Sequence, residues 1–133
     1  MCAAMKKIYT LHTNFPNGEE SDSKTFIFPG HEYTMGFMKF SAKNTKRSHH
    51  VQWRRAQGTE LKAELDLVQR NTKRYQDNIN QGNPSVPSSL KEEKVQNLFL
   101  RCSDANFLKN MSQLHKNINN EIQLMDYLYN ACD

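Results

Sequence analysis

The sequence lacks the long apolar run that a membrane-spanning helix needs, since no stretch approaches the roughly 20 consecutive apolar residues that cross a bilayer. Its first fifteen residues also lack the hydrophobic core of a signal peptide. Cysteine is scarce: Cys2, Cys102 and Cys132 form no CxxC pair and cannot all pair within one chain, which indicates a reducing compartment. These absences predict a soluble, cytoplasmic protein.

Common catalytic motifs are missing as well. The chain contains no GxSxG, no P-loop and no Rossmann glycine fingerprint. Its five histidines form no HxxxH, HxH or HxxE pair, and the adjacent His49 and His50 would point about 100° apart on a helix. We therefore expect that this chain alone holds no metal tightly.

Hydrophobic residues are few for a self-sufficient globular protein of 133 residues, at 37% with a mean hydropathy of −0.84. Such a composition is typical of a helical layer that packs against something else. The net charge of +4 suits an anionic ligand or nucleic acid. Acidic and basic residues alternate almost everywhere, however, so we interpret the charge as a solvated surface rather than a nucleic-acid footprint.

Residues 25–28, Thr-Phe-Ile-Phe, predict a short buried strand that Pro29 and Gly30 end. His31 then follows at the end of the strand, a position that suits a side chain directed at a metal or a substrate. An isolated histidine is also common as a plain packing residue. The local sequence leaves both roles open.

The other segments predict helices. Residues 4–12 predict a short helix that the polar turn of residues 14–23 ends. Thr34 should cap a helix to about residue 44, whose methionine face is typical of a core. Residues 43–47 predict a basic connection, and Ser48 should cap the next helix, which would carry His49, Val51 and Trp53.

The clearest periodicity starts at Thr59, where side chains recur at steps of four and three: Leu61, Leu65, Val68, Thr72, Tyr75 and Ile79. Gly82 and Pro84 should end this helix. Ser89 and Glu92 then have capping-box spacing, and residues 97–100 predict an apolar loop. Ser103 or Asp104 should cap a further helix that holds Phe107, Leu108, Met111 and Leu114. A last helix should carry, along one face, Ile122, Met125, Tyr129 and Cys132.

Three blocks in fixed order carry a family resemblance: Gly-His-Glu-Tyr-Thr at 30–34, Pro-Ser-Val-Pro-Ser-Ser-Leu-Lys-Glu-Glu at 84–93 and Asn-Leu-Phe-Leu-Arg at 97–101. In this order they closely resemble the C-terminal part of glyoxalase II, the hydroxyacylglutathione hydrolase, over roughly residues 24–133. The resemblance implies a mainly α fold, with the family's helical substrate-binding domain at residues 34–133. Residues 1–33, with the strand at 25–28, would be left from the family's αββα metal domain of the metallo-β-lactamase type.

The resemblance also implies an activity, the hydrolysis of lactoyl-glutathione or lactoyl-trypanothione to D-lactate and free thiol in methylglyoxal detoxification. The complete family enzyme holds two divalent metals, zinc or iron. For His31 the resemblance implies a ligand role on one metal, and for Tyr33 a contact to the thiol.

The C-terminus points to a particular thiol. Where glutathione-using members carry an Arg and, three residues later, a Lys that hold the glycine carboxylate, this chain has the neutral Tyr129 and Cys132. In trypanothione that carboxylate is amidated to spermidine, so two cations would be unfavourable. The tail therefore resembles the trypanothione-using branch. Tyr129 and Cys132 are expected along the polyamine arm, with Asp126, Asp133 or the terminal carboxylate available to attract it.

One large departure concerns catalysis. No THxHxDH motif occurs in the 133 residues, and the family's other metal ligands have no counterpart. We therefore expect no catalytic residue in this chain alone and no activity by itself, whether it is a fragment, a truncated product, a paralogue or the partner of a separate metal-binding domain. The alternative is a catalytically dead helical module that binds an acidic partner or RNA through basic residues: Lys43, Lys46, Arg47, Arg54, Arg55, Lys73 and Arg74.

Overall fold

The computed structural model describes residues 1–29, 34–48 and 58–132. Within these ranges seven α-helices and one sheet of two short strands confirm the predicted mainly α fold. The helices are α1 Cys2–Tyr9, α2 Gly18–Lys24, α3 Thr34–Ser48, α4 Gly58–Asn80, α5 Leu90–Gln96, α6 Ala105–Leu114 and α7 Glu121–Asn130. The strands are β1 Phe26–Ile27 and β2 Ser88–Ser89, and 3-10 turns cover Leu11–Asn14 and Leu100–Ser103.

The strand predicted at residues 25–28 exists but is not buried. β1 pairs antiparallel with β2, so that Phe26 lies opposite Ser89 and Ile27 opposite Ser88. Because side chains alternate along a strand, only Ile27 turns inward, while Phe26 is 55% and Phe28 71% exposed. The prediction of burial was wrong for Phe26 and Phe28 because both lie on the face of β1 that the protein leaves uncovered. The division into domains at residues 33 and 34 stays a prediction.

The main core lies among α6, α7 and the turn at Leu100–Ser103. Its buried members are Leu98, Phe99, Cys102, Phe107, Met111, Ile118, Leu124, Met125 and Leu128. Cys2 and Met5 of α1 pack against this core from one side, and Phe40 of α3 also contacts it. The predicted apolar segment at 97–100 is thus confirmed as part of the core.

A second core joins α3 to α4. Met38, Val68 and Tyr75 are buried together, with Met35 and Ala42 packed against them. This confirms the predicted methionine face of α3 and, at Val68 and Tyr75, the predicted stripe of α4, although Ile79 at the end of that stripe is exposed.

Two predicted connections are helical instead. α2 begins at Gly18, inside the predicted polar turn of residues 14–23, because Asp22 is buried and pairs with Lys94 of α5. α3 continues through residues 43–47 to Ser48, since Asn44 and Thr45 are buried and lysine is a good helix former. The predicted helix with His49, Val51 and Trp53 lies outside the described residues.

Helix caps follow the sequence closely. Ser89 and Glu92 form the predicted capping box, and Asp104, rather than Ser103, accepts hydrogen bonds from the N–H groups of Asn106 and Phe107. Gly82, with a φ of 75°, follows the end of α4 as predicted. On α7 the buried side is formed by Leu124, Met125 and Leu128. Across the three described ranges, no helix is both long and apolar enough to cross a bilayer.

Candidate functional site

A pocket of about 350 Å³ opens between α1, the end of β1, α3, α5 and the last turn of α7. Its walls are mostly apolar, formed among others by Met5, Ile27, Phe37, Phe40, Phe99 and Tyr129. A concave, largely apolar site of this size is typical of a small-molecule pocket.

Three phenylalanines give one wall a defined shape. Phe40 stacks on Phe99 with ring centroids 6.2 Å apart, and Phe37 meets Phe99 edge-on at 5.8 Å. Both arrangements are the ones that aromatic rings prefer. Since Phe99 belongs to the main core, this wall is anchored to the body of the domain.

A polar part of the pocket wall is centred on the Glu93 carboxylate. Ser88 Oγ and Gln96 Nε2 donate to Glu93 Oε1 at 2.6 and 2.8 Å, and Asn97 Nδ2 donates to Oε2 at 2.8 Å. Gln96 Nε2 also donates to the Tyr75 hydroxyl at 2.9 Å, while its Oε1 accepts from Asn71 at 2.8 Å. This network fixes α5 against α4.

Tyr129 is the predicted site residue that the structure places at the pocket. It lies in the last turn of α7, lines the pocket mouth and is 66% exposed. Cys132 is exposed, and its backbone N–H donates to the Tyr129 carbonyl at 3.3 Å. The two predicted substrate-binding residues are therefore adjacent at one end of the domain.

A second concavity meets the pocket at Tyr129. This groove, of about 500 Å³, runs between α1 and α7 and is lined by Cys2, Ile122, Asp126 and Tyr129. Asp126 is exposed there. Tyr129 thus lies between an apolar pocket on one side and a groove with a carboxylate on the other.

His31 and Tyr33, the other predicted site residues, lie outside the described residues. Pro29 and Thr34, which flank the 30–33 segment in sequence, both line the pocket. Within residues 1–29, 34–48 and 58–132, no three His, Cys, Asp or Glu side chains come together as a metal site would require. The described donors alone do not fit a two-metal centre.

The cysteines differ in their chemistry. Cys102 is buried in the main core, and burial raises the pKa of its thiol to about 12. Because the thiolate is the reactive form, the raised pKa and the burial disfavour Cys102 as a nucleophile.

The basic residues of the alternative function are only partly described. Lys43 and Lys73 are exposed, while Arg74 pairs with Glu92 at 3.1 Å and lies over the Tyr75 ring. Arg54 and Arg55 lie outside the described residues, and the side chains of Lys46 and Arg47 are not described.

Sequence reasoning missed the buried polar contacts of Arg101. Arg101, known from the sequence only as the end of a family block, is buried and makes a bidentate ion pair with Glu64 at 3.1 and 3.3 Å. It also lies over the Phe107 ring at 4.7 Å. A lone arginine after an apolar run is the only sequence signal for it.

The model of the family described as "Hydroxyacylglutathione hydrolase C-terminus" matches residues 64–133, more than half of the chain. The match includes most of α4 and all later elements, and so contains Glu93, the main core and Tyr129. In a comparison with curated proteins, nothing matched the chain.

Proposed function

The chain belongs to the hydroxyacylglutathione hydrolase C-terminus family, and from that premise we propose that residues 34–133 are the substrate-binding portion of a glyoxalase II-type thioester hydrolase. The reaction of the complete enzyme would release D-lactate and free thiol from a lactoyl thioester. The observation that carries the proposal is Tyr129, which lies inside the matched region and between a pocket and a groove.

We propose further that the thiol is trypanothione rather than glutathione. Tyr129 and Cys132 offer no cation to a glycine carboxylate, whereas the groove beside Tyr129 contains the exposed carboxylate of Asp126. A protonated polyamine next to Asp126 would gain charge-assisted contacts, and an arginine or lysine at these positions would repel it.

In the same proposal, His31 supplies one ligand to the pair of divalent metals, zinc or iron, of the complete enzyme, and Tyr33 contacts the thiol. Support comes from the chain order, because the segment that contains both residues joins Pro29 to Thr34 and these two line the pocket. Residues 1–33 would belong to the metal domain. We expect this chain alone to bind the thioester without hydrolysing it, and a separate metal-binding domain is a candidate partner.

Calorimetric titration with non-hydrolysable S-methyl trypanothione and S-methyl glutathione tests the thiol preference. The unmodified chain should bind the trypanothione analogue more tightly. The double variant Tyr129→Arg, Cys132→Lys should favour the glutathione analogue, since each new charge-assisted hydrogen bond to its carboxylate contributes about 1.5 to 3 kcal/mol.

The matched control adds the same two charges on α6, at the exposed positions Asn106→Arg and Gln113→Lys. Neither residue lines the pocket or the groove. This control should leave the preference unchanged. An unchanged preference in the α7 variant as well would reject the assignment of Tyr129 and Cys132.

A further inference from the structure

Apart from the exposed Tyr129, the polar side chains that line the pocket already make hydrogen bonds within the protein. The hydroxyls of Thr34 and Ser85 bond each other at 2.7 Å, and Ser41 Oγ donates to the Gln96 carbonyl at 2.6 Å. A polar ligand group that enters such a pocket loses its bonds to water without replacing them, which costs free energy.

The two amides on this wall are occupied in the same way. Gln96 directs both amide hydrogens at Tyr75 and Glu93, and its oxygen accepts from Asn71. Asn97 donates to Glu93, and its Oδ1 accepts from the Leu100 N–H at 3.2 Å. The amides therefore serve the fold rather than a ligand.

The charge on the pocket wall further limits which ligands can bind. Among the described residues that line the pocket, only Glu93 has a charged side chain, and its carboxylate accepts from three neutral donors. An anionic group would be repelled by this carboxylate. A cationic group would compete with donors that already occupy it and would lose its hydration in an apolar site.

The remaining wall suits flat rings. Phe37, Phe40 and Phe99 line it with aromatic surface, and Met5 and Met38 add polarisable sulfur atoms. An apolar cavity of about 150 Å³ holds benzene, so a pocket of about 350 Å³ has room for two fused rings.

We propose that this pocket binds an uncharged aromatic ligand of about two fused rings. The proposal is independent of the proposed function, because it requires neither a thiol nor a metal. It gives the chain a hydrophobic-ligand site next to Tyr129.

The test uses the full chain and the neutral fluorophore N-phenyl-1-naphthylamine, with three competitors that share one ring system. Naphthalene should displace the fluorophore. 1-Naphthoate and 1-naphthylmethylammonium should compete at least about tenfold more weakly, because moving a charge from water into an apolar site costs free energy. A cation that competes as well as naphthalene would overturn the proposed ligand class.

Two matched variants locate the site. Phe37→Asp places a charge in the pocket wall, whereas Phe15→Asp makes the same change at a similarly exposed phenylalanine outside it, the exposures being 41% and 50%. Fluorophore affinity should fall at least about tenfold in the first and less than about twofold in the second. Equal losses in the two variants would contradict the proposal.

A second variant, which fills the pocket, keeps the test possible if Phe37→Asp does not fold. Ile27→Trp adds bulk to the pocket from β1 and should also abolish fluorophore binding, with folding checked by circular dichroism. Absence of binding to the unmodified chain overturns the proposal. Should light scattering then show a dimer that Phe37→Asp dissociates, the occupant would be a second copy of the chain.

Discussion

Residues 1–29 and the region from Leu98 to Leu128 are held in the fold by opposite means. The later region buries a continuous set of apolar side chains. Among those of residues 1–29 whose burial is described, the single buried residue is the charged Asp22, and no side chain of α1 is fully buried. One region therefore makes the core, and the other is attached to it.

Besides the packing of Cys2 and Met5 on the main core, polar contacts attach the early region to the rest of the chain. Lys94 of α5 donates to Asp22 at 2.5 Å, bonds His12 Nδ1 at 2.8 Å and lies 5.2 Å from the centre of the Tyr9 ring. β1 adds its short pairing with β2, and the Leu90 N–H donates to the Thr25 carbonyl at 2.7 Å. Segments with few buried apolar contacts open locally at low cost, so we expect residues 1–29 to be the less stable part.

The largest predicted effect is in the core. Leu128→Ala removes a side chain that is 0% exposed and should lower the free energy of unfolding by about 2 to 5 kcal/mol. Ile122→Ala on the same helix, where the side chain is 69% exposed, should change it by less than about 0.5 kcal/mol. Urea unfolding measures both. Similar values would mean that α7 does not bury the face described.

The next largest effect on stability is expected at the contact between Asp22 and Lys94, which attaches residues 1–29 to α5. Asp22→Asn leaves the partly buried Lys94 without its carboxylate and should cost about 1.5 to 3 kcal/mol. Hydrogen exchange should show faster opening of α2 with α6 unchanged. The control Glu20→Gln removes an exposed partner of Lys24 and should cost less than about 1 kcal/mol. Equal loss of protection in α6 would show that the two regions unfold as one unit.

A smaller effect on stability is expected at β2, where residues 1–29 pair with the later part of the chain. Ser89 belongs to β2 and also caps α5, so Ser89→Ala should cost about 1 kcal/mol. Ser23→Ala, an exposed serine on α2, should be nearly neutral. Thermal unfolding compares the two variants, and a neutral Ser89→Ala would argue against the capping box.

The smallest effect is a dependence on pH. Burial acts to raise the pKa of Glu92, but hydrogen bonds from the Ser89 N–H and Arg74 outweigh it and hold the pKa below its ordinary value. A lowered pKa in the folded state gives stability above the ordinary pKa that is lost as pH falls through the folded-state value. Acid titration of unfolding should therefore show a shallower loss for Glu92→Gln than for the unmodified chain. Identical slopes would contradict the assignment.

The same contrast explains what the sequence could predict. The stripe of α4, the capping box and the apolar segment at 97–100 depend on local spacing, and the structure confirms them. The helix α2 was missed because its residues are polar and its anchor, Lys94, lies 72 positions away. The Gln96 network was missed for the same reason, since sequence spacing does not link it to Asn71, 25 positions earlier.

The candidate site shows the same limit. The sequence pointed to Tyr129 through a departure from a family pattern, and Tyr129 does lie at a pocket. Phe26 and Phe28 were predicted to be buried, but their rings are exposed. A short aromatic run does not show which face of a strand the protein leaves uncovered. The position of Asp126 beside Tyr129 follows from their three-residue spacing on one helix, which the sequence contained.

We propose that this chain binds a thiol conjugate but does not hydrolyse it alone. One sample of the isotopically labelled chain with lactoyl-trypanothione, followed by NMR, tests both halves. We predict shifts in the backbone amides of Asp126 and Tyr129, with the lactoyl thioester intact throughout. Unchanged α7 amides, or steady release of lactate by the chain itself, would contradict the account.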